Sequence, residues 1–286
     1  MESNILILDF SSVIIANLHA QIGIHNMREV DEDLLRHMIL NTIRSIRTKF
    51  KKEGELIIAC DMGSWRKGVY PYYKANRKKT KDASPLDWKK IFEIFAAMRT
   101  DLKNYFPYRV IEVQDAEADD VIAALVFEFG NDLPLASGED ILIMSPDKDF
   151  AQLHRFSNVK QYDPIRKAWI SVLDPDLFLK EQIIRGDTGD GVPNIMSDDD
   201  TFVIAEKRQK TMTAKRFEQL MATVPEEFKK GHDRNTLMID LRCSPQEIRN
   251  RVLEEYRAQA GKGRSRLLNY FIEHRLRNLT ASINEF

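Results

Sequence analysis

The chain has 286 residues, 43% of them hydrophobic and 30% charged, and its 43 basic and 44 acidic side chains leave a net charge of −1. That balance suits a soluble globular protein of one large or two moderate domains and excludes a fibrous or disordered one. Cys60 and Cys243 are far apart, which excludes a disulfide framework or a cysteine-based zinc motif and fits a reducing cytoplasm. The short apolar run Ile5–Leu8, with no basic residue before it, predicts neither a signal peptide nor a membrane span.

Ile5-Leu6-Ile7-Leu8 reads as a buried strand, with Asp9 at its carboxyl end. Asp31 caps a predicted helix in which Leu35, Ile39, Ile43, Ile46 and Phe50 recur at helical spacing until Gly54 stops it. A second strand, Leu56 to Cys60, ends in Asp61. From Met62 through Lys81 there is no acid, while Arg66, Lys67, Lys74, Arg77, Lys78, Lys79 and Lys81 supply seven cations among Trp65, Tyr70, Tyr72 and Tyr73. Cations track phosphates and rings stack unpaired bases, so the stretch suits single-stranded nucleic acid; composition alone describes a solvated basic loop nearly as well. A helix is predicted from Pro85 to about Tyr105, with Trp88, Ile91, Phe92, Phe95 and Met98 on one side. Residues 109–113 read as a third strand.

Asp115-Ala116-Glu117-Ala118-Asp119-Asp120 then packs four acids into six residues ahead of an apolar helix. Acids in a first helical turn are ordinary, and Asp115 could cap it. Asp119, however, precedes Ile122 and Val126 by three and seven residues, which puts it at the edge of the buried stripe. The helix holds no Arg or Lys to pair with it, and a cation is the simplest partner. Residues 130–140 are turn-rich, Ile141–Met144 is another buried strand, and Asp147 and Asp149 follow. Asn158–Tyr162 and Ala168–Val172 read as paired strands, and Asp174-Pro175 opens a helix that ends near Gly186.

Alternating strands and helices predict an α/β fold with a mainly parallel central sheet, whose ligands bind beyond the carboxyl ends of the strands. Asp9, Asp61 and Asp147 are expected to meet there, beside Glu117 and Asp119. A single Asp after a strand is ordinarily a turn former, but several on one sheet edge are not explained that way. Like charges ~4 Å apart at an effective dielectric of ~20 repel by about 4 kcal/mol. Such a cluster needs cations, and oxygen-only donors select hard ions, Mg²⁺ or Mn²⁺. A pocket with room for two of them suits phosphodiester cleavage.

The motifs Ile-Leu-Asp-Phe-Ser (7 to 11), Cys60-Asp61, Tyr-Pro-Tyr-Tyr-Lys-Ala-Asn-Arg (70 to 77), Glu-Ala-Asp-Asp (117 to 120), Ser-Pro-Asp-Lys-Asp-Phe (145 to 150) and Gly-Asp-Thr-Gly-Asp-Gly-Val-Pro (186 to 193) recur in this order in another group of proteins. By them the chain resembles, over nearly its whole length, the flap endonuclease and 5′ to 3′ exonuclease family, and within it the phage ribonuclease H branch of T-even type. The resemblance implies a PIN-like nuclease core over residues 1–186, with a helical arch over about 62–100. A helical duplex-binding region would follow over 187–286. It also implies two Mg²⁺ ions, replaceable by Mn²⁺. Asp9, Asp61, Glu117, Asp119 and Asp147 would surround one ion; Asp149, Asp187 and Asp190 would serve the other, with Asp120 as an extra acid of the metal cluster acting from behind.

By the same resemblance Lys74 is an exposed catalytic lysine assisted by Arg77, Tyr73 stacks on the nucleotide, and Arg66, Tyr70, Lys78 and Lys79 contact substrate. The implied activity is removal of RNA primers and adjacent DNA from lagging-strand fragments in phage replication, together with flap cutting. Substrates would be duplexes with a 5′ end, nick, flap or fork. A phage single-strand binding protein is an expected partner, the protein is expected to be monomeric and cytoplasmic, and no membrane is involved. Two departures stand out. Residues 194–200 are acidic where cellular members carry a glycine-rich duplex-gripping hairpin, which the basic run from Arg249 to Arg277 could replace. Only eight residues precede Asp9, so sliding-clamp contact through a leader is not carried over. A PIN-type ribonuclease shares the acidic pocket but not the arch or the Gly186–Asp190 segment, and a non-catalytic binder of branched DNA would lack pocket carboxylates that this chain keeps.

Overall fold

A computed structural model describes residues 4–25, 29–50, 54–130 and 140–286, without the side chains of residues 24, 25, 78–80 and 82. In chain order, strand β1 (Ile5–Asp9) leads into helices α1 (Phe10–His25) and α2 (Glu32–Lys49), then β2 (Glu55–Ala59). Helices α3 (Arg66–Val69), α4 (Ala75–Asp82) and α5 (Trp88–Tyr105) follow, then β3 (Arg109–Ile111), α6 (Ala118–Phe129) and β4 (Ile141–Met144). A 3₁₀ helix (Lys148–Arg155) precedes β5 (Val159–Asp163), β6 (Ala168–Ile170) and α7 (Pro175–Arg185). The remainder is helical: α8 (Ala214–Ala222), α9 (Lys229–Ile239), α10 (Gln246–Ala258), α11 (Leu267–Glu273) and α12 (Arg277–Thr280).

The strands form one sheet in the order β3-β2-β1-β4-β5-β6, parallel except for the antiparallel edge pair β5–β6. Alternation sets the layers. Ile5, Ile7, Ile57, Ala59, Ile141 and Ile143 face α6 and α10, while Leu6, Leu8, Leu56, Ile58, Leu142 and Met144 face α1, α2, α5 and α11. Burial on both faces is why these strands read as unbroken apolar runs. The predicted caps are in place: Asp31 accepts from the Leu34 N–H at 3.0 Å and Asp174 from Leu177 at 2.9 Å. Helix α5 starts three residues after Pro85, at the Asp87 cap.

Two local readings differ. Helix α1 went unpredicted because its apolar residues carry no helical period; it is covered on several sides. Asp115 is not the cap of α6. It takes a left-handed backbone, φ +65°, in the turn before the helix, and Glu117 caps instead, its N–H bonded to the Asp120 carboxylate at 3.1 Å. The turn-rich stretch 130–140 falls almost wholly outside the described residues.

The C-terminal helices pack onto the core. Leu267, Tyr270, Phe271 and Phe286 share a layer with Leu6 and Leu8, and Ile248 and Val252 complete the opposite layer. Much of the basic run is used in this docking. Arg251 donates to the Gln114 carbonyl at 2.8 Å, Arg257 pairs with Glu128 at 2.9 Å, and Lys262 donates to the Tyr108 carbonyl at 2.8 Å. Arg249 is bonded to the Ser244 carbonyl at its own helix start. These residues help hold α10 against α6 and β3, while Arg257, Arg264, Arg266, Arg275 and Arg277 of the run stay exposed.

Candidate active site

Parallel strands bring their carboxyl ends to one edge, and there Asp9 ends β1, Asp61 follows β2 and Asp147 follows β4. With Asp119 from the first turn of α6, and Asp149, Asp187 and Asp190, they line one cleft of about 370 Å³, flanked by Lys74 and Arg77. The Asp187–Asp190 loop is tightly shaped. Gly186 and Gly191 take left-handed backbones, φ +72° and +73°, where a Cβ at Gly186 would meet the Val192 carbonyl at 2.4 Å. Asp187 accepts from the N–H groups of Gly189 (2.8 Å) and Asp190 (3.2 Å).

Each acid has its own environment. Asp9 accepts from Ser145 Oγ at 2.7 Å, yet burial and the nearby Asp61 carboxylate push its pKa up to about 6. Burial and Asp147 hold Asp119 well above the usual carboxylate range. Asp149, bonded to Gln182 Nε2 at 2.6 Å, is pushed up to about 7 by burial and by Asp147 and Asp187. Asp187 goes the other way: burial opposes its charge, but Lys148 at 3.0 Å outweighs it and lowers the pKa. Asp61 accepts from Ser11 Oγ and from the Ala118 N–H. The cleft thus holds buried acids short of positive charge.

Lys74 and Arg77 supply what the chain itself provides. Lys74 has a left-handed backbone, φ +55°, fixed by its N–H bond to the Asp190 carbonyl at 2.8 Å, an uncommon state for a side-chain-bearing residue. Its ammonium lies 2.6 Å from Glu117 and 3.5 Å from Asp190. It is 15% exposed rather than open to solvent as expected. Burial disfavours its charge, but the two carboxylates outweigh that and raise its pKa, so it stays cationic. Arg77, half exposed, reaches Asp190 at 2.6 Å.

Several expected roles change. Glu117 does not line the cleft. It accepts from Ser64, Arg66, Tyr73 and Lys74, whose charges outweigh the cost of its burial and lower its pKa, and so it anchors Lys74. Asp120, fully buried, accepts from Trp65, Arg66 and the Glu117 N–H, which leaves it no role as a direct metal ligand. Arg66 is 2% exposed, and its guanidinium joins these two acids to the Met238 carbonyl instead of touching substrate. The Tyr73 ring is 3% exposed and its hydroxyl donates to Glu117 and Asp190 at 3.0 Å, so in this conformation it cannot stack on a base. Tyr70 is buried with its hydroxyl on the Asp199 carbonyl at 2.6 Å. Lys78 and Lys79 lie on α4, and their side chains are outside what the structure describes.

Sequence reasoning missed Ser11, Ser145 and Gln182, which orient Asp61, Asp9 and Asp149. It also missed Lys148 as the partner of Asp187. Ser145 and Lys148 stood inside a quoted motif; Gln182, in mid-helix, gave no local sign. The acidic 194–200 loop borders a separate depression of about 450 Å³. Its acids are neutralised by the chain itself: Lys207 pairs with Asp198 and Asp200, and Lys230 and Arg234 pair with Asp199.

Over residues 4–182 the sequence matches a family model described as 5′-3′ exonuclease, N-terminal resolvase-like domain, and over residues 174–286 one described as T4 RNase H, C terminal. It is 30% identical over 301 aligned residues to ribonuclease H of Enterobacteria phage T4, an alignment spanning 100% of this chain and 96% of that protein. A flap endonuclease Xni of Shewanella piezotolerans is 26% identical over 191 residues, 63% of this chain and 68% of its own. Among solved structures, a phage T5 flap endonuclease pseudo-enzyme–product complex with DNA and metal ions superposes at TM-score 0.61 and 18% identity, covering 90% of this chain and 99% of that one. The phage T5 5′-exonuclease with bound zinc gives 0.60 and 17% over the same shares. At these identities the structural likeness is one of fold.

Proposed function

This chain belongs to the 5′–3′ exonuclease and flap endonuclease family, of T4 RNase H type, and from that premise we propose that it removes RNA primers and adjacent DNA from the 5′ ends of lagging-strand fragments during phage replication, in the host cytoplasm. The protein is a nuclease, a phosphodiester hydrolase. One observation carries the finer reading: seven aspartates from five separate segments share a single cleft with Lys74 and Arg77.

The donor set fits hard divalent ions. It is all oxygen, and Asp9, Asp119 and Asp149 are disfavoured as anions by burial and by the neighbouring carboxylates, which a divalent ion would offset. As the side chains stand, no three acids among the described residues close on one point. Ser11, Ser145 and Lys148 each draw a carboxylate to themselves. Asp9, Asp61, Asp119 and Asp147 would hold one Mg²⁺, and Asp149, Asp187 and Asp190 a second. Bound there, the ions lower the pKa of the attacking water and stabilise charge on the phosphate. Lys74, kept cationic and aimed by Glu117 and Asp190, presents a fixed positive charge to the scissile phosphate; Arg77 presents a second from the open rim. Backbone and junction shape, more than base sequence, then select the substrate.

With Mg²⁺ the protein is expected to release short products from the 5′ end of a nicked or flapped duplex. EDTA stops the reaction and added Mg²⁺ restores it; labelled 5′ and 3′ ends of one RNA–DNA junction give the readout. Cutting of circular single strands in place of 5′ ends would refute the assignment. Lys74→Ala is expected to lower the single-turnover rate by about 10²–10³-fold. It also leaves Glu117 with fewer counter-charges, so some stability goes with it, and a variant cutting at a near-normal rate removes Lys74 from the mechanism.

A further inference from the structure

Lys148 is the one cation beside the acidic cleft that the proposed reaction leaves unused. It opens the 3₁₀ helix between Asp147 and Asp149, is 61% exposed, and stands outside the cleft lining that holds Lys74 and Arg77. Its ammonium lies 3.0 Å from Asp187 Oδ2. The other oxygen, Asp187 Oδ1, is fixed by the N–H groups of Gly189 at 2.8 Å and Asp190 at 3.2 Å. Lys148 therefore holds the oxygen of Asp187 that the loop backbone does not use.

A structural tie does not account for this placement. An ion pair with one partner largely in water contributes little to stability. The electrostatics are more telling. Burial opposes both charges, yet the pair lowers the Asp187 pKa and, with Asp149 and Asp147, raises that of Lys148. The ammonium thus sits in the field of the carboxylates that would gather a divalent ion. It is a compact monovalent charge on a flexible stem, strong enough to compete for a carboxylate oxygen and weakly enough attached to leave it.

Resting on the two-ion reading above, we propose that Lys148 is a built-in competitor for the second divalent ion: it occupies Asp187 Oδ2 until displaced, and so sets the concentration at which the second site fills. At the first site the competition is milder, because Asp9 and Asp61 meet the neutral hydroxyls of Ser145 and Ser11. The two sites are therefore expected to load in order, the first before the second. Lys148 is a positioning residue, acting on the reaction only through Asp187.

The test is calorimetric titration of the DNA-free protein with Mn²⁺ at low ionic strength. Wild type is expected to take up two ions in separate steps. Lys148→Gln is expected to tighten the weaker step about two- to fivefold and to leave the stronger step where it was. Lys148→Arg, which keeps the charge, should return the weaker step to the wild-type value. In an Asp187→Asn background Lys148→Gln should leave Mn²⁺ affinity unchanged, because the contested carboxylate is gone. The half-saturating Mg²⁺ for flap cleavage should fall in Lys148→Gln by the same factor as the weaker step. Equal affinities in wild type and Lys148→Gln overturn the competitor, as does a tightening that persists in Asp187→Asn, which would be the general field of a surface charge. With two ions bound and flaps cut, either result leaves the nuclease reading in place. Uptake of a single ion by a wild type that still cuts flaps overturns the two-ion reading and the competitor together.

Discussion

Asp119→Asn is expected to abolish cleavage while raising the melting temperature of the metal-free protein. Burial and the Asp147 carboxylate hold the Asp119 pKa well above the usual range, so the folded chain favours the protonated acid. The stability contributed by that proton is present at low pH and is lost as pH rises through the folded-state value, whereas an amide is indifferent. The advantage of the variant therefore widens with pH, by about 1.4 kcal/mol for each unit by which the acid is raised. Activity moves the opposite way, falling about a thousandfold or more as a proposed ligand of the divalent ion is lost. Melting in EDTA at about pH 5 and about pH 8, with single-turnover cleavage in Mg²⁺, reads both. A variant that melts lower than wild type at both pH values, or cuts normally, contradicts the role given to Asp119.

Arg66→Ala is expected to give the largest loss of stability, about 3–5 kcal/mol, or on the order of 10 °C in melting temperature. One guanidinium, 2% exposed, neutralises Glu117 and Asp120 and also bonds the Met238 carbonyl at 3.0 Å. Its removal leaves Asp120 without its counter-charge and Glu117 with Lys74 alone, and cuts the tie between the start of α6 and the end of α9. Asp120→Asn in the same background should recover part of the loss, since one stranded charge is then gone. The folded fraction should bind flapped DNA with near-normal affinity, because Arg66 does not reach the cleft. A stable Arg66→Ala protein with weakened DNA binding would reinstate Arg66 as a substrate contact.

The sheet was legible because its signal is local. Four of its strands are short apolar runs, and Asp9, Asp61 and Asp147 follow three of them closely, so parallel topology alone brings those acids to one edge. Helix α1 was illegible for the complementary reason: a segment covered on several sides needs no polar face and shows no period. The basic aromatic stretch misled in a third way. Its composition is that of a nucleic-acid surface, yet Arg66, Tyr70 and Tyr73 turn inward to partners at 117, 120, 190, 199 and 238, none of them near in sequence. Composition fixes what a segment carries, while which side chains face outward depends on what the rest of the chain brings against it. Glu117 and Asp120 show the same within a single motif, where only Asp119 of the three acids reaches the cleft.

Asp190 joins two functions that are usually considered separately. Its carboxylate receives Arg77, Tyr73 and Lys74, and its carbonyl receives the Lys74 N–H. A backbone phosphate that draws Arg77 outward releases a carboxylate oxygen at the same moment, and a cation taken up by that oxygen frees Arg77 for the phosphate. Occupancy of the one therefore favours the other by an equal factor in either order of addition. The titration of Mg²⁺ should shift to lower concentration when a flapped strand is present, and that shift should disappear in Arg77→Ala.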